Sequence, residues 1–281
     1  MSVIARSFNM HGNVLAVSQI IDMLRRYPEL IWEMAKRELK DRYSGSALGL
    51  TWAVGAPLIV FAANILAFLF IFRVRLGPAD TGGSYAAYVL SGMAVWVAIG
   101  EVLSRAPTAI LQSANLVKQI VFPSEILPLK IVVAGLPTLA LCTAVVIVLS
   151  LAVGHATLFG VVVLLPIVTL YFVVMMAGLV YALAGIGVFL RDVKDVVALL
   201  LSVGLFLHPI LYAPSSVPRW LEAAFFISPF SHLIWCFRDA LFEGRIVHTA
   251  SWIICPILSF VFLILGWRIF RSLRPTFGNV L

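Results

Sequence analysis

From Ile131 to Leu190 the chain runs for sixty consecutive residues without Asp, Glu, Lys or Arg. As one α-helix rising 1.5 Å per residue, that stretch would be about three times as long as a bilayer's hydrocarbon core is thick, roughly 30 Å. It must fold back. GHAT at 154–157 supplies the turn, giving one span of about residues 131–153 and a longer one of about 158–189. A charge at the bilayer centre is expensive, so the other charge-free runs mark further spans: Thr51 to Phe72, about Tyr85 to Gly100, Val196 to Tyr212, and Ile246 to Trp267. Ala223 to Phe237 is also uncharged, but it is short and broken by Pro229, and reads as a re-entrant or interfacial segment. The expected fold is an all-α integral membrane protein with six transmembrane helices. A charged content of 12%, against about a quarter in soluble domains, agrees.

Positive residues gather in cytoplasmic loops, which gives an independent test. With six spans and both termini inside, fifteen of the twenty Lys and Arg are cytoplasmic: seven precede the first span, and Arg105, Lys118 and Lys130 flank the loop after the second. The remaining inside positions are Arg191, Lys194 and the three arginines of the tail. A seventh span would put the tail outside and lose the bias. The first residues, MSVIARSFNMHGN, have no apolar core of a signal peptide, so no cleaved leader is expected. Cys142, Cys236 and Cys255 form no CxxC pair and read as small buried hydrophobes.

Two polar segments stand out. In the second loop Ile110, Ala114, Val117 and Val121 recur at spacings of four, three and four, with Gln112, Asn115, Lys118 and Gln119 opposite and Pro123 as terminator. This is a short amphipathic helix, either a loop resting at the interface or a docking helix for a cytoplasmic partner. Before the first span, RRYPELIWEMAKRELKDRY (25–43) starts a helix at Pro28 and offers two i,i+4 pairs, Glu33 with Arg37 and Glu38 with Arg42. Its basic face is either an anchor at the anionic leaflet, or Lys36, Arg37, Lys40 and Arg42 hold a phosphate-bearing lipid. Residues 1–50 thus form a cytoplasmic amphipathic interface region, and 51–281 the transmembrane domain.

No GxxxxGK[ST] phosphate loop, HExxH or paired-carboxylate site occurs, so no catalytic residue and no metal or cofactor site is expected in this chain. Glu101, Asp192 and Asp195 fall at span ends, unlike the mid-membrane ionisable groups of ion-coupled transporters. Energy must come from another subunit, unless the protein is a passive channel. Gly178, Ala182 and Gly185 form a small-residue face for close helix contact. In the first span Pro57, Phe61, Asn64, Phe68 and Phe72 share one face, which suits either a conduit or a packed aromatic core.

The segments RELKDRYSGSALGLTWAVGAPL (37–58), YVLSGMAVW (88–96), ANLVKQIVFPSEILPL (114–129), FLRDVKDV (189–196), HPILYAPSSVP (208–218) and ISPFSHLIWCFRDALFEG (227–244) resemble the type 2 ABC exporter permeases that move polysaccharides. Within that group the chain resembles the Wzm-type membrane subunit of O-antigen exporters, with teichoic-acid and capsule permeases as cousins. The resemblance implies a homodimer in the bacterial inner membrane, bound to two copies of a cytoplasmic ABC ATPase that carries the ATP and magnesium. The cargo would be an undecaprenyl-diphosphate-linked polysaccharide, and a nucleic-acid partner is not expected. A small-molecule exporter of the same superfamily is the rival reading.

It also implies residue roles. Asn115, Leu116, Val117, Lys118, Gln119, Ile120, Val121 and Phe122 would be the coupling helix that docks in the ATPase. Phe61, Asn64, Phe68, Phe72, Tyr85, Trp96 and Tyr212 would line the polysaccharide path, since aromatic rings suit sugar faces. The segment from Pro214 to Gly244 would be a periplasmic re-entrant pair of helices between the fifth and sixth spans. Trp220, Phe225 and Phe226 would gate the outer side, and Arg191 with Asp192 the inner. Arg238 and Asp239 are expected to be a structural pair, and Glu125 either pairs with a basic group or is solvated.

Overall fold

The computed structural model describes residues 10–49, 51–72, 83–119, 122–212 and 217–280, all helix, turn or loop with no strand among them. Two helices precede the spans: α1 (Met10–Arg26) and α2 (Pro28–Tyr43), the latter with proline in its first turn as expected. The spans begin with α3 (Thr51–Leu66), continued by a π-helical turn, and α4 (Gly83–Arg105). After the short α5 (Ala114–Gln119) come α6 (Ile126–Ala152), α7 (Leu165–Gly187) and α8 (Val193–Leu207). Two short helices, α9 (Arg219–Ile227) and α10 (Pro229–Arg238), lead to α11 (Thr249–Leu273), and α12 (Phe277–Val280) closes the chain.

Among the described residues five helical stretches are long and apolar enough to cross a membrane: Thr51–Ile71, Gly83–Thr108, Ile126–Ala152, Gly160–Gly187 and Thr249–Thr276. The sixth expected span is shorter than its uncharged run. Its helix ends at Leu207 rather than Tyr212, because His208 precedes Pro209 and takes the extended conformation (φ −122°, ψ 160°) that a following proline favours. The 15 residues of α8 rise about 22 Å, less than the hydrocarbon thickness. The fold-back in the sixty-residue run lies where the glycine put it. Gly154 (φ 76°) reverses the chain, and Ser150 O accepts from both His155 N and Ala156 N.

α4 is the hub, buried along nearly all its length, whereas α3 leaves most of its surface outside the chain's own core. α7 and α11 lie backbone to backbone: a Cβ on Gly178 would collide with the Phe262 backbone, and one on Gly266 with the Gly178 carbonyl. The small-residue face therefore does what its spacing implied. The helix α1, which the sequence reading did not assign, buries Ala16, Ile20 and Met23 against this pair, with Gln19 Oε1 3.3 Å from Trp267 Nε1. That four-and-three spacing was a usable signal.

Candidate functional site

The sequence groups Arg105, at the end of α4, and Lys130, in the second turn of α6, as flanks of a loop; the fold brings both to α2. Arg105 Nη1 lies 3.2 Å from Glu38 Oε1, and Lys130 Nζ lies 2.9 Å from Glu38 Oε2. One carboxylate on α2 thus holds both ends of the segment that carries α5. Beside it Arg42 pairs with Glu101 on α4. These bonds replace the expected pair of Glu38 with Arg42. Both side chains turn toward the spans, where partial burial strengthens an ion pair beyond its worth on an exposed helix face. The pair of Glu33 with Arg37 is likewise not formed: Glu33 takes Lys36 at 2.8 Å, and Arg37 takes Asp41 at 3.6 Å. Of the four basic residues expected at a headgroup, Lys36 stands 5.4 Å over the Trp32 ring, Lys40 is exposed, Arg37 is mostly exposed, and only Arg42 is drawn in. Glu125 pairs with Arg274, the first of its two expected fates.

The loop segment is less regular than its periodicity suggested. Short 3₁₀ turns occupy Ala106–Thr108 and Leu111–Ser113, and α-helix begins only at Ala114. Ile110 is fully buried, Asn115 is exposed, and Leu116 and Phe122 are half-buried. Ile120 and Val121 lie outside the described residues, as do the side chains of Val117, Lys118, Gln119, Phe72 and Trp220. Between α2 and this segment opens a cavity of about 690 Å³, lined by Arg37, Arg42, Arg105 and Lys130 together with Gln112 and Asn115.

Of the expected path residues, Phe68 and Tyr85 meet each other toward the opposite end of the bundle, while Phe61 borders a cavity nearer Glu38. Phe61 and Phe68 are buried in the chain's own core, and Asn64 Nδ2 donates to Val60 O of its own helix at 2.8 Å. Phe68 packs edge-on to Tyr85 at 5.6 Å, Tyr85 stacks on Tyr88 at 6.5 Å, and Tyr88 meets Phe242 at 5.7 Å. Tyr85 Oη donates to Leu211 O, the Trp96 ring lies 4.7 Å from His208, and Tyr212 stacks on Phe225 at 6.4 Å. Phe226 lies between His232 and Trp235. In this conformation the rings of Phe68, Tyr85, Tyr88 and Phe242 are packed against one another. Arg191 and Asp192 are exposed at the start of α8 and form no ion pair with each other.

The sequence missed the centre of this end. Arg238 and Asp239 are both fully buried, yet they do not pair. Asp239 accepts from Val247 N, His248 N, His248 Nδ1 and Trp252 Nε1 at 2.7–3.0 Å. Arg238 donates from Nη2 to Pro209 O at 2.7 Å and sets its guanidinium 3.8 Å over the Tyr88 ring, while its Nε and Nη1 have no hydrogen-bond partner. Neighbouring residues on a helix point apart, so adjacency in sequence was no evidence of pairing. All three cysteines are buried and free, in line with expectation.

Residues 29–242 match the family described as ABC-2 type transporter. The O-antigen export system permease protein RfbA of Myxococcus xanthus is 27% identical over 265 residues, covering 93% of this chain and 98% of that protein. A protein of the same name from Klebsiella pneumoniae is 26% identical over 262 residues, covering 90% of this chain and 95% of that protein.

Proposed function

The chain belongs to the ABC-2 type transporter family, and on that premise we propose that it is the membrane permease subunit of an ATP-driven exporter of O-antigen polysaccharide. The observation that carries this reading is similarity along nearly the full length of both partners to proteins named as O-antigen export permeases. The cargo would be linked to undecaprenyl diphosphate and cross the bacterial inner membrane. ATP and magnesium would be used by a separate subunit, since the chain has no phosphate loop of its own.

In this reading two copies of the chain associate with two ATPases. The outward faces of α3 and α8 support a homodimer: Ile59, Leu199 and Leu200 are all more than half exposed and need lipid or a second copy to cover them. α8, continued by the turn at 208–211, serves as the fifth of six crossings, and both termini are cytoplasmic, a reading the distribution of positive charge supports. Asn115 to Phe122 is the coupling helix, and the bonds from Glu38 to Arg105 and Lys130 give its movement a route into α2 and the first span. Phe61, Asn64, Phe68, Phe72, Tyr85, Trp96 and Tyr212 line the path when the aromatic cluster separates. Trp220, Phe225 and Phe226 close its outer side, and Arg191 with Asp192 its inner side. Lys36, Arg37, Lys40 and Arg42 serve the lipid diphosphate or headgroup.

Deleting the gene and fractionating glycolipid by gel tests the cargo. Polyprenyl-linked polymer trapped on the cytoplasmic side is the expected result. Unchanged surface glycan would overturn the polysaccharide reading in favour of a small-molecule exporter.

A further inference from the structure

Two cavities adjoin at the Glu38 end of the bundle. The larger, about 690 Å³, has Arg37, Arg42, Arg105 and Lys130 in its wall against only two carboxylates, Glu38 and Asp41. The smaller, about 370 Å³, lies among the first three spans, walled by Pro57, Val60, Phe61, Val97 and Gly100. Arg42 and Ser104 line both, so the two meet at a shared wall and form one crevice, with a charged mouth and a mostly apolar interior that also holds Glu101, the partner of Arg42. Ala56 and Val60 on its wall are exposed at the surface of α3.

Gly100 is the second, independent observation. It sits inside α4, where glycine is less favourable than alanine by about 1 kcal/mol. Gly178 and Gly187 are accounted for by close backbone, since a Cβ on Gly178 would strike Phe262 and one on Gly187 would strike Pro107, and Gly135 and Gly204 by the side chains of Val102 and Trp96; Gly55 in α3 is open, as Gly100 is. A Cβ on Gly100 would meet no protein atom within 4 Å. The missing side chain leaves room that nothing among the described residues fills.

We propose that the crevice binds an anionic membrane lipid, its phosphate at Arg37, Arg42, Arg105 and Lys130 and a hydrocarbon chain against Gly100. A free phosphate would leave the smaller cavity unfilled, and a plain hydrocarbon would leave four cations facing three carboxylates, Glu38, Asp41 and Glu101; an amphiphile satisfies both. Arg105 and Lys130 share one carboxylate, so a phosphate supplies the acceptor that the protein gives only once. This inference rests on reading the basic face of α2 as a headgroup site, and it narrows that site. Lys36 and Lys40 do not line the crevice, whereas Arg105 and Lys130 join it.

The test uses the full chain purified in mild detergent, with phosphatidylglycerol, undecaprenyl phosphate and zwitterionic phosphatidylcholine offered separately and bound lipid read by native mass spectrometry. An anionic lipid should be retained over phosphatidylcholine. Gly100→Leu, which improves helix propensity and points into open space, should weaken that retention by about tenfold, the equivalent of two excluded methylenes. Preference for phosphatidylglycerol identifies the source as bulk phospholipid, and preference for undecaprenyl phosphate identifies it as the polyprenyl carrier; both support the crevice. Equal retention of phosphatidylcholine, or unchanged retention by Gly100→Leu, overturns it. The fate of surface glycan in the deletion strain does not depend on the crevice, so the two readings fail separately.

Discussion

The two ends of this bundle solve the same problem, holding charged groups in an apolar protein, in opposite ways. At the Glu38 end, charges on different elements pair with one another beside a wide cavity, with side chains that keep some contact with solvent. At the Asp239 end two fully buried charges ignore each other: Asp239 is held by backbone N–H groups and two side chains, and Arg238 by a carbonyl and a ring face, with two of its nitrogens left without a partner among the described residues. The difference follows from water. Where solvent reaches, an ion pair can break and re-form at modest cost, which suits a junction that transmits movement. Where it does not, breaking a bond leaves a buried charge or donor uncompensated, which costs far more.

That contrast is sharpest at Asp239. Replacing Asp239 with Ala leaves four donors without their shared acceptor and should destabilise the folded chain by about 3–5 kcal/mol, read as a large fall in the thermal midpoint of the detergent-solubilised protein. A shift no larger than that of a surface substitution would erase the distinction between the two ends. Glu38→Gln should cost less, about 1.5 kcal/mol, because Arg105 and Lys130 can recover water. Its larger effect should be functional: ATP hydrolysed per glycan exported should rise, and moderate salt should reproduce the change in the wild-type protein. If coupling stays intact, Glu38 is a packing residue only. Lys36→Ala removes an exposed pair with Glu33 and should move the midpoint by less than about 0.5 kcal/mol equivalent, in low or high salt.

Much of this was legible in the chain. The glycine at 154 located the fold-back, Pro28 the start of α2, and Gly178, Ala182 and Gly185 the face against α11. The family resemblance carried by the quoted segments agrees with the match over residues 29–242. What failed was partner choice. Glu38 and Arg42 looked like partners because they stand one turn apart, and Arg238 and Asp239 because they are adjacent. Both inferences used local spacing, and the actual partners are 67 and 92 residues from Glu38 and several elements away from Arg238.

The sequence by itself determined that the chain lives in a membrane, where its helices break and which face of each is small or apolar. Those properties depend on hydropathy and backbone preference, which are local. Only the tertiary structure decided which charge meets which, that the aromatic rings of the first two spans close on one another, and that Gly100 borders an empty space. Those depend on how helices distant in sequence are set side by side, and a hydropathy pattern constrains which face is buried without saying what it is buried against.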